Sequence, residues 1–312
     1  MKRLICFVAA VLALATATGC GRPPLHRQSR VMMGTFVEVV SADRRAAPIV
    51  FAEIKRIEGI LSKYDPASEV SRLNARKEIV AGPELLFILE KARYFSRISD
   101  GAFDVTVAPL VDLWGFTDKA FREPSKQDIQ KAQAAVGMKK IIFKSGNPVV
   151  KFMLPEVTID LGALAKGYAV DCAAEKLKKH GITSCLINAG GDIYCLGTKD
   201  AGPWSVAVQP PRTGAEGMTL HLSDKAVATS GDYRQYFTKD GRRYAHIIDP
   251  RTGYPARTNI ASVTAVADDC LTADFLATAV FVLGEKKGRR LAARFPGTEL
   301  IVIKDTDEKR QR

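Results

Sequence analysis

Apolar residues recur at helical spacing in two stretches of the first third of the chain, residues 51–61 and residues 85–95. Apolar positions three and four apart lie on one face of a helix, so both stretches predict amphipathic helices. Ser125 followed by Asp128 forms a capping box, which predicts the start of a third helix that runs to Gly137. Three helices are therefore predicted before residue 138.

Apolar and β-branched runs typical of strands dominate the second half of the chain. Short turns with Gly, Pro or Asp join most of them, which favours antiparallel hairpins. Repeated alternation of strands and helices is lacking, so a doubly wound parallel sheet is not expected. We predict an α+β fold with largely antiparallel sheets flanked by helices. The predicted strands are residues 149–154, 157–161, 184–196, 204–208, 218–222, 244–248, 260–267 and 299–304.

Composition and length favour one compact folded region. Of the 312 residues, 46% are hydrophobic and 26% are charged, which matches ordinary globular proteins and excludes a disordered chain. The sequence has no internal repeat and no linker long enough to separate independent domains. We expect a folded region over residues 31–304, in one piece or as two closely packed subdomains, and a charged tail over residues 305–312.

The first residues of the chain have the pattern of an export signal. Lys2 and Arg3 precede an apolar run over residues 4–15, and small residues follow it. The run is shorter than the roughly 20 residues that a membrane-spanning helix needs. We expect residues 1–19 to be a signal peptide that is removed from the mature protein.

Cys20 follows Gly19 at the predicted cleavage point, as in a bacterial lipobox, although Ala17 stands where a larger aliphatic residue is more usual. The alternative is a plain secretory signal with an incidental cysteine. We predict lipidation of Cys20 and a tether over residues 20–30 that links the lipid to the folded region. The net charge of +12 suits an anionic membrane, a phosphate-rich ligand or nucleic acid. Nucleic acid is disfavoured because the basic residues are dispersed and export separates the chain from it.

Export would also place the remaining cysteines in an oxidising compartment. Four cysteines allow three pairings, and buried thiols fit their apolar surroundings at least as well as disulfides. The absence of a C-x-x-C motif argues against a cysteine-ligated zinc site. The cysteines concerned are Cys172, Cys185, Cys195 and Cys270.

Residues 157–168 combine a strand-like run with a helix that begins after Gly162 and continues to about Lys179. A helix N-terminus offers free N–H groups and a partial positive charge, and Lys166 lies in its first turns. Together they suit an anionic group such as phosphate. The segment matches neither a Walker A loop nor a dinucleotide fingerprint. The plain alternative is a strand, a turn and a helix with a solvated lysine.

Two other segments place small and polar residues at strand ends. The paired glycines in residues 188–192 would allow close approach of the backbone to a ligand, or form a simple tight turn. Hydroxyl residues cluster in residues 229–233, and His246 closes a predicted strand. A lone histidine in such a position is more often structural than catalytic.

Asp274 and Thr278 are four residues apart in a predicted helix, so they share one face. Hard oxygen ligands of this kind suit Mg²⁺, which keeps few protein ligands and leaves positions for phosphate oxygens. A polar helix edge is the alternative. Because an unpaired carboxylate is costly to bury among apolar neighbours, we favour a functional role for Asp274.

Seven ordered blocks together resemble the FAD:protein FMN transferase family, also called the ApbE family. The resemblance covers about residues 31–304, and the ApbE-like fold that it implies agrees with the α+β prediction. The blocks are MGTF at residues 33–36, LSKY at 61–64, DGAFD at 100–104, DLGALAKG at 160–167, NAGGD at 188–192, HIIDP at 246–250, and TAD at 272–274 with Thr278.

The resemblance implies a substrate, a metal ion and the residues that bind each. Mg²⁺ would be held by the carbonyl of Ala163, by Asp274 and by Thr278. Some relatives have a second Asp where this chain has Ala277, so one ligand position would pass to water or phosphate. The aromatic side chain at Tyr64 resembles the transferases rather than relatives that mainly hydrolyse FAD. FAD would be held by Met33, Tyr64, Ala102, Phe103, Asp104, Asp160, Lys166 and Ile248.

The resemblance also implies the reaction and the partners. The FMN moiety of FAD would be transferred to a Thr or Ser hydroxyl of an exported or membrane flavoprotein of an electron-transport complex, with release of AMP. His246 is the candidate base for that hydroxyl, because its ordinary pKa lies near neutrality. We expect an enzyme anchored on the periplasmic side of the bacterial inner membrane. The alternatives are a Mg²⁺-dependent FAD pyrophosphatase and a non-enzymatic FAD-binding lipoprotein.

Overall fold

The computed structural model describes residues 24–144, 146–199, 202–212 and 217–305. The predicted signal peptide, Cys20 and residues 306–312 of the predicted charged tail lie outside these residues. In the part of the chain that is described, no helix combines the length and the apolar character needed to cross a membrane.

Strands and helices follow the mixed order expected from the sequence. The strands are β1 (His26–Met32), β2 (Thr35–Ser41), β3 (Glu78–Val80), β4 (Ile141–Lys144), β5 (Asn147–Phe152), β6 (Cys185–Ala189), β7 (Asp192–Leu196), β8 (Trp204–Val208), β9 (Met218–Leu222), β10 (Lys225–Gly231), β11 (Tyr236–Lys239), β12 (Arg242–Ala245), β13 (Ile260–Ala267) and β14 (Glu299–Lys304). The helices are α1 (Ala46–Leu61), α2 (Glu69–Arg76), α3 (Pro83–Ile98), α4 (Ala108–Leu113), α5 (Lys126–Gln133), α6 (Ala165–Lys179), α7 (Cys270–Leu283) and α8 (Glu285–Ala292).

The central sheet has seven strands in the order β1-β2-β6-β7-β10-β13-β14, and every neighbouring pair is antiparallel. Two hairpins, β8-β9 and β11-β12, and a small sheet with the order β3-β5-β4 complete the described strands. The prediction of an α+β fold with antiparallel sheets flanked by helices is confirmed. The predicted helices at 51–61 and 85–95 are α1 and α3.

Alternate residues of the central sheet face two different cores, as the pleat requires. On one side, Val39 and Ala226 belong to the main core, which includes apolar residues of α1, α6 and α7. On the other side, Val40 and Val227 pack with Trp204 of the β8-β9 hairpin. The sheet therefore fixes α6 and α7 beside each other on the face where the polar motifs gather.

The predicted strand at residues 157–161 is wrong. Three of its five residues are buried, yet side chains and loops satisfy its backbone instead of a neighbouring strand. The amide side chain of Asn74 accepts from Ile159 N–H at 2.8 Å and donates to its carbonyl at 2.9 Å. The N–H of Asp160 donates to the carbonyl of Val105 at 2.8 Å. An apolar run alone does not reveal whether a strand partner exists.

Other boundaries also differ from the predictions. The run 184–196 is the β6-β7 hairpin and not a single strand, and the strand predicted at 244–248 ends at Ala245, after which Ile248 makes one isolated bridge. Ser125 caps α5 as predicted, but the helix ends at Gln133. Beyond it the chain turns tightly, and Lys140 Nζ donates to the carbonyl of Val136 at 2.7 Å.

The folded region begins earlier than predicted. Residues 26–30, expected in the tether, belong to β1 and pair with β2. Most of β1 is exposed and polar, as is common at the edge of a sheet, so apolar patterning gives no signal there. Among the described residues all four cysteines carry free thiols.

Candidate functional site

A cavity of 310 Å³ lies where the start of α6, the end of β10, the segment after β12 and helix α7 meet. An adjoining groove of 450 Å³ shares Asp160, Gly162 and Lys166 with it and is lined by Met33 and Tyr64. The fold thus brings together every predicted site residue that the structure describes. Those in the cavity are Ala102, Phe103, Asp104, Asp160, Ala163, Lys166, His246, Ile248, Asp274 and Thr278.

Lys166 lies between two carboxylates at the centre of the cavity. Its Nζ is 2.8 Å from Asp192 Oδ2 and 3.2 Å from Asp274 Oδ2, and it donates to the carbonyl of Gly162 at 2.9 Å. Burial alone would lower the pKa of Lys166, but the two carboxylates outweigh it and raise the pKa above its usual value. The lysine is therefore a fixed positive charge, and the solvated lysine considered above is excluded.

Asp274 stands on α7, a helix that is buried on nearly all sides. Burial, and then the nearby carboxylate of Asp192, raise the pKa of Asp274, while Lys166 opposes the shift. One turn along the helix, Thr278 Oγ1 lies 3.0 Å from Ser230 Oγ of β10. The helix therefore presents a carboxylate and a hydroxyl to the cavity together, as their spacing predicts.

The cavity is lined by oxygen atoms of the kinds that bind a magnesium ion. Besides Asp274 and Thr278, Ala163 lines the cavity, and its carbonyl accepts no hydrogen bond from any described residue. Leu164 has a φ of −138°, so α6 starts irregularly and the first turn leaves that carbonyl unused. The two carboxylates carry more negative charge than the single lysine between them can neutralise. Carbonyl, carboxylate and hydroxyl oxygens are the ligands that Mg²⁺ prefers.

His246 directly follows β12 and lines the same cavity. Its Nδ1 lies 3.1 Å from the carbonyl of Gln235, an acceptor only, so Nδ1 carries the proton and Nε2 is the free acceptor. Burial lowers the pKa of His246, which the Gln235 contact only partly offsets. The imidazole is therefore neutral at physiological pH and able to accept a proton.

Asp104 and Asp160 shape the wall of the cavity. Asp104 is buried, and each of its oxygens accepts two hydrogen bonds: Oδ1 from the N–H and hydroxyl of Thr106, Oδ2 from Ser96 Oγ and Met138 N–H. Its carboxylate thus holds the loop in place. Asp160 Oδ1 accepts from Gly162 N–H at 2.8 Å, which fixes the turn into α6.

A lysine and an exposed aromatic ring lie side by side in the groove beside the cavity. Lys63 Nζ lies 2.8 Å from Asp160 Oδ2 and 5.2 Å from the centre of the Tyr64 ring, which is 71% exposed. Met33 has a positive φ of 51°, and its N–H donates to Glu58 Oε1 at 2.7 Å. An exposed ring above a fixed cation offers a flat surface on which a planar aromatic group can stack.

Two charged residues of the cavity were not predicted from sequence. Asp192 was included only as the end of a glycine turn, and Arg234 was missed because it is a single arginine in a loop. Gly190 and Gly191 have positive φ values of 64° and 102°, and a Cβ on Gly191 would lie 2.4 Å from Arg234 Nη2. The glycine pair therefore forms the hairpin turn and also leaves the space that this arginine occupies.

Comparisons with known proteins identify the family of this chain. The model of the ApbE family matches residues 33–302. An FAD:protein FMN transferase of Vibrio cholerae is 32% identical over 98% of this chain and 95% of its own length, and one of Haemophilus influenzae is 34% identical over 94% and 91%.

Solved structures of this family superpose on the fold over most of the chain. The ApbE protein of Thermotoga maritima has a TM-score of 0.82 and 36% identity, covering 90% of this chain and 95% of that one. The flavin transferase ApbE of Vibrio cholerae has a TM-score of 0.80 and 30% identity, covering 91% and 96%. The motifs, the cavity and the fold lead to one conclusion: the chain belongs to the ApbE family.

Proposed function

We propose that the protein transfers the FMN moiety of FAD to a Thr or Ser hydroxyl of an acceptor flavoprotein. The hydroxyl oxygen attacks the phosphorus of the FMN half, a new phosphoester bond forms, the pyrophosphate bond breaks, and AMP leaves. The relatives named FAD:protein FMN transferase support this reaction class. The observation that carries the proposal for this chain is the meeting of Lys166, Asp274 and His246 in one cavity.

His246 supplies the base in this scheme. Its neutral ring, held by Gln235 through Nδ1, leaves Nε2 to accept the proton of the incoming hydroxyl. Water that took the place of the hydroxyl would give FMN and AMP instead. Transfer therefore requires that the acceptor segment displace water from the space beside His246.

Lys166 and the oxygen ligands handle the phosphate charge. The ammonium group of Lys166 offsets negative charge on the pyrophosphate and on the departing AMP. The Ala163 carbonyl, Asp274 and Thr278 are the residues that would hold Mg²⁺, and a bound magnesium ion supplies Lewis-acid neutralisation of phosphate oxygens. Asp192, paired with Lys166, keeps the lysine directed into the cavity.

The adjoining groove suits the rest of the substrate. Tyr64 offers a ring for stacking, and the Met33 backbone conformation shapes the opposite wall. The cavity and the groove meet at Asp160, Gly162 and Lys166, so one extended molecule with a central pyrophosphate can occupy both. FAD has that shape.

The export pattern supports a location for this reaction. We propose that Cys20 carries a lipid and that the enzyme works on the periplasmic face of the inner membrane, on flavoproteins of electron-transport complexes. The family's acceptors carry a short motif resembling Asp/Ser-x-x-Thr/Ser-Gly-Ala-Thr/Ser, which defines a test substrate.

One experiment separates the candidate activities. The purified protein is incubated with FAD and Mg²⁺, with an acceptor that carries the motif or with a control acceptor whose motif hydroxyl is replaced by Ala. We expect an acceptor mass increase of one FMN less one water, with one AMP released per flavin, only on the first acceptor. Release of FMN and AMP without acceptor labelling would indicate a pyrophosphatase, and bound FAD without AMP would indicate a binding protein.

A further inference from the structure

Arg234 lies in the loop between β10 and β11 and lines the cavity of the candidate active site. The reaction scheme given above assigns it no role. The residue is exposed to solvent, so a ligand in the cavity can reach its side chain. It is therefore a candidate for a further contact to the substrate.

The two cations of the cavity differ in their partners. Of the described residues that line the cavity, Lys166 and Arg234 carry a permanent positive charge. Lys166 lies between the carboxylates of Asp192 and Asp274. Arg234 forms no ion pair with any carboxylate in the described ranges. A positive charge without a neighbouring acid in a substrate cavity suits a negatively charged ligand.

One backbone contact holds the guanidinium of Arg234 and leaves an edge of it available. Nη1 donates to the carbonyl of Gly190 at 2.5 Å, and Gly191 has no side chain to occupy the space beside Nη2. Nε and Nη2 donate to no residue that the structure describes. These two N–H groups lie along one edge of the guanidinium, which can donate to two oxygens of one phosphate group.

The arginine lies beside the group that holds the proposed base. Gln235 directly follows Arg234, and its carbonyl is 3.0 Å from the backbone nitrogen and 3.1 Å from Nδ1 of His246. Burial is the main cause of the lowered pKa of His246, and the charge of Arg234 lowers that pKa further, with a larger effect than the charge of Lys166. The guanidinium is therefore close to the His246 end of the cavity.

This position indicates which phosphate of FAD the arginine contacts. In the proposed reaction the hydroxyl held at Nε2 of His246 attacks the phosphorus of the FMN half, so that phosphate lies next to His246. Phosphoryl transfer spreads negative charge over the oxygens that stay on the transferred phosphorus. A guanidinium fixed beside two of these oxygens stabilises that charge.

We propose that the guanidinium of Arg234 binds two oxygens of the FMN phosphate of FAD through Nε and Nη2. This inference rests on the proposed function and adds a substrate-binding residue to it. Arg234 exchanges no proton and forms no covalent bond in this role. It complements Lys166, which offsets charge on the pyrophosphate and on the departing AMP.

Equilibrium binding of FMN, riboflavin and AMP to the purified full chain tests the contact without any transfer. We expect Arg234→Gln to weaken binding of FMN at least about tenfold, the loss expected for one charge-assisted hydrogen bond. Binding of AMP and of riboflavin, which lacks the phosphate, should stay within about twofold of wild type. Arg234→Lys keeps the charge but not the paired donors, so its loss should be intermediate.

Arg122→Gln is the matched control. Arg122 is an exposed loop arginine that donates to the carbonyls of Ala120 and Asp112 and does not line the cavity, so its loss should leave FMN binding unaltered. Melting temperatures identify loss through misfolding, in which case Arg234→Lys decides.

Transfer to the motif-bearing acceptor gives a second readout, because Arg234→Gln should lower kcat at saturating FAD and acceptor at least about tenfold. FMN binding that depends on Arg234, in a wild type that transfers no flavin, would refute the proposed function but not the contact. Equal FMN affinity of Arg234→Gln and wild type, equal affinity of wild type for FMN and riboflavin, or a loss confined to AMP would overturn the proposal.

Discussion

The buried position of the His246 side chain predicts a pH-dependent rate of FMN transfer. Because burial lowers the pKa of its imidazole below the usual 6.5, the neutral form dominates at pH 7. We expect the transfer rate to be constant through neutral pH. It should fall as the pH drops through this lowered pKa, since a protonated ring cannot accept the hydroxyl proton. A pH–rate profile with saturating FAD measures this.

The variant His246→Ala should lose that acid limb and transfer FMN slower by on the order of 10²–10⁴-fold. Its FAD affinity and melting temperature should remain near those of the wild type, because the ring contacts neither the metal ligands nor the flavin groove in this scheme. An unchanged rate would remove His246 as the base. A joint loss of rate, affinity and stability would assign it a structural role instead.

Asp274 offers a test of the metal. Asp274→Asn keeps the size of the side chain but removes the only charged group among the three ligands, so transfer should fall at least about a hundredfold and respond more weakly to Mg²⁺. Asp268→Asn, on the loop before α7 and 71% exposed, is the matched control. Equal magnesium dependence of Asp274→Asn and wild type would contradict the assignment.

At the residue scale, the site residues that could be predicted from the sequence are those with an informative local pattern. Lys166 follows a strand-to-helix break, and Asp274 and Thr278 share a helical period, so their chemistry can be read locally. Arg234 has no such pattern, because its place beside Gly191 depends on how the β6-β7 hairpin meets the loop after β10. The link from Lys166 to Asp192 likewise arises only when α6 packs near β7.

Between elements, Asp171 of α6 caps the start of α7. Its two oxygens accept from Cys270 N–H at 2.7 Å and from Leu271 N–H at 2.9 Å, and burial raises its pKa to about 7. Asp171→Ala should lower the free energy of unfolding by about 1–3 kcal/mol because two buried donors lose their acceptor. Asp171→Asn retains one acceptor and should lose less. Urea denaturation ranks the variants, and equal midpoints would show that the cap contributes nothing.

Helices α6 and α7 also meet at Gly167, where a Cβ would lie 2.6 Å from the carbonyl oxygen of Cys270. Gly167→Ala should therefore destabilise the protein, since backbone atoms cannot move away cheaply. A Cβ on Gly59 of α1 would have no described atom within 4 Å, so Gly59→Ala should raise stability by roughly 0.5–1 kcal/mol through helix propensity. Thermal melts should show opposite shifts of the melting temperature for the two variants. Shifts in the same direction would refute the prediction.

Several elements were predicted correctly from their local pattern alone. Hydrophobic periodicity predicts the amphipathic helices α1 and α3. Turn residues at their ends predict the strands β8, β9, β13 and β14. The edge strand β1 was missed because both of its faces are mostly exposed, and residues 157–161 were misassigned because Asn74, a side chain, replaces the strand partner. In both cases the backbone partners decide the outcome, and they lie elsewhere in the sequence.

For the whole molecule, the proposed lipid anchor at Cys20 would have the largest consequence. If Cys20 is acylated, the expressed protein should partition with membranes, and Cys20→Ser should accumulate as an unprocessed precursor or lose its lipid, because the thiol is the acyl acceptor. Membrane fractionation with intact mass of the processed protein measures both. Equal soluble recovery of the two forms, without lipid mass on the wild type, would refute the anchor.

Fold class followed from the whole-chain order of elements, since mostly hairpin-linked strands leave few alternatives to an antiparallel α+β arrangement. The sheet order did not follow, because the pairing of β2 with β6 joins segments more than a hundred residues apart. The residues of the candidate cavity likewise come from distant segments, from Ala102 to Thr278, so they could be listed from motifs but not arranged.

If Cys20 is lipidated as proposed, the early start of β1 limits how far the folded region can lie from the bilayer. His26 follows Cys20 by only six residues, and an extended chain covers at most about 3.3–3.6 Å per residue, so these six residues can span at most roughly 20 Å. A domain of this size on so short a segment would rest almost against the lipid headgroups. Acceptor hydroxyls would have to be offered within that thin layer, which favours substrates that are themselves membrane proteins or are docked on them.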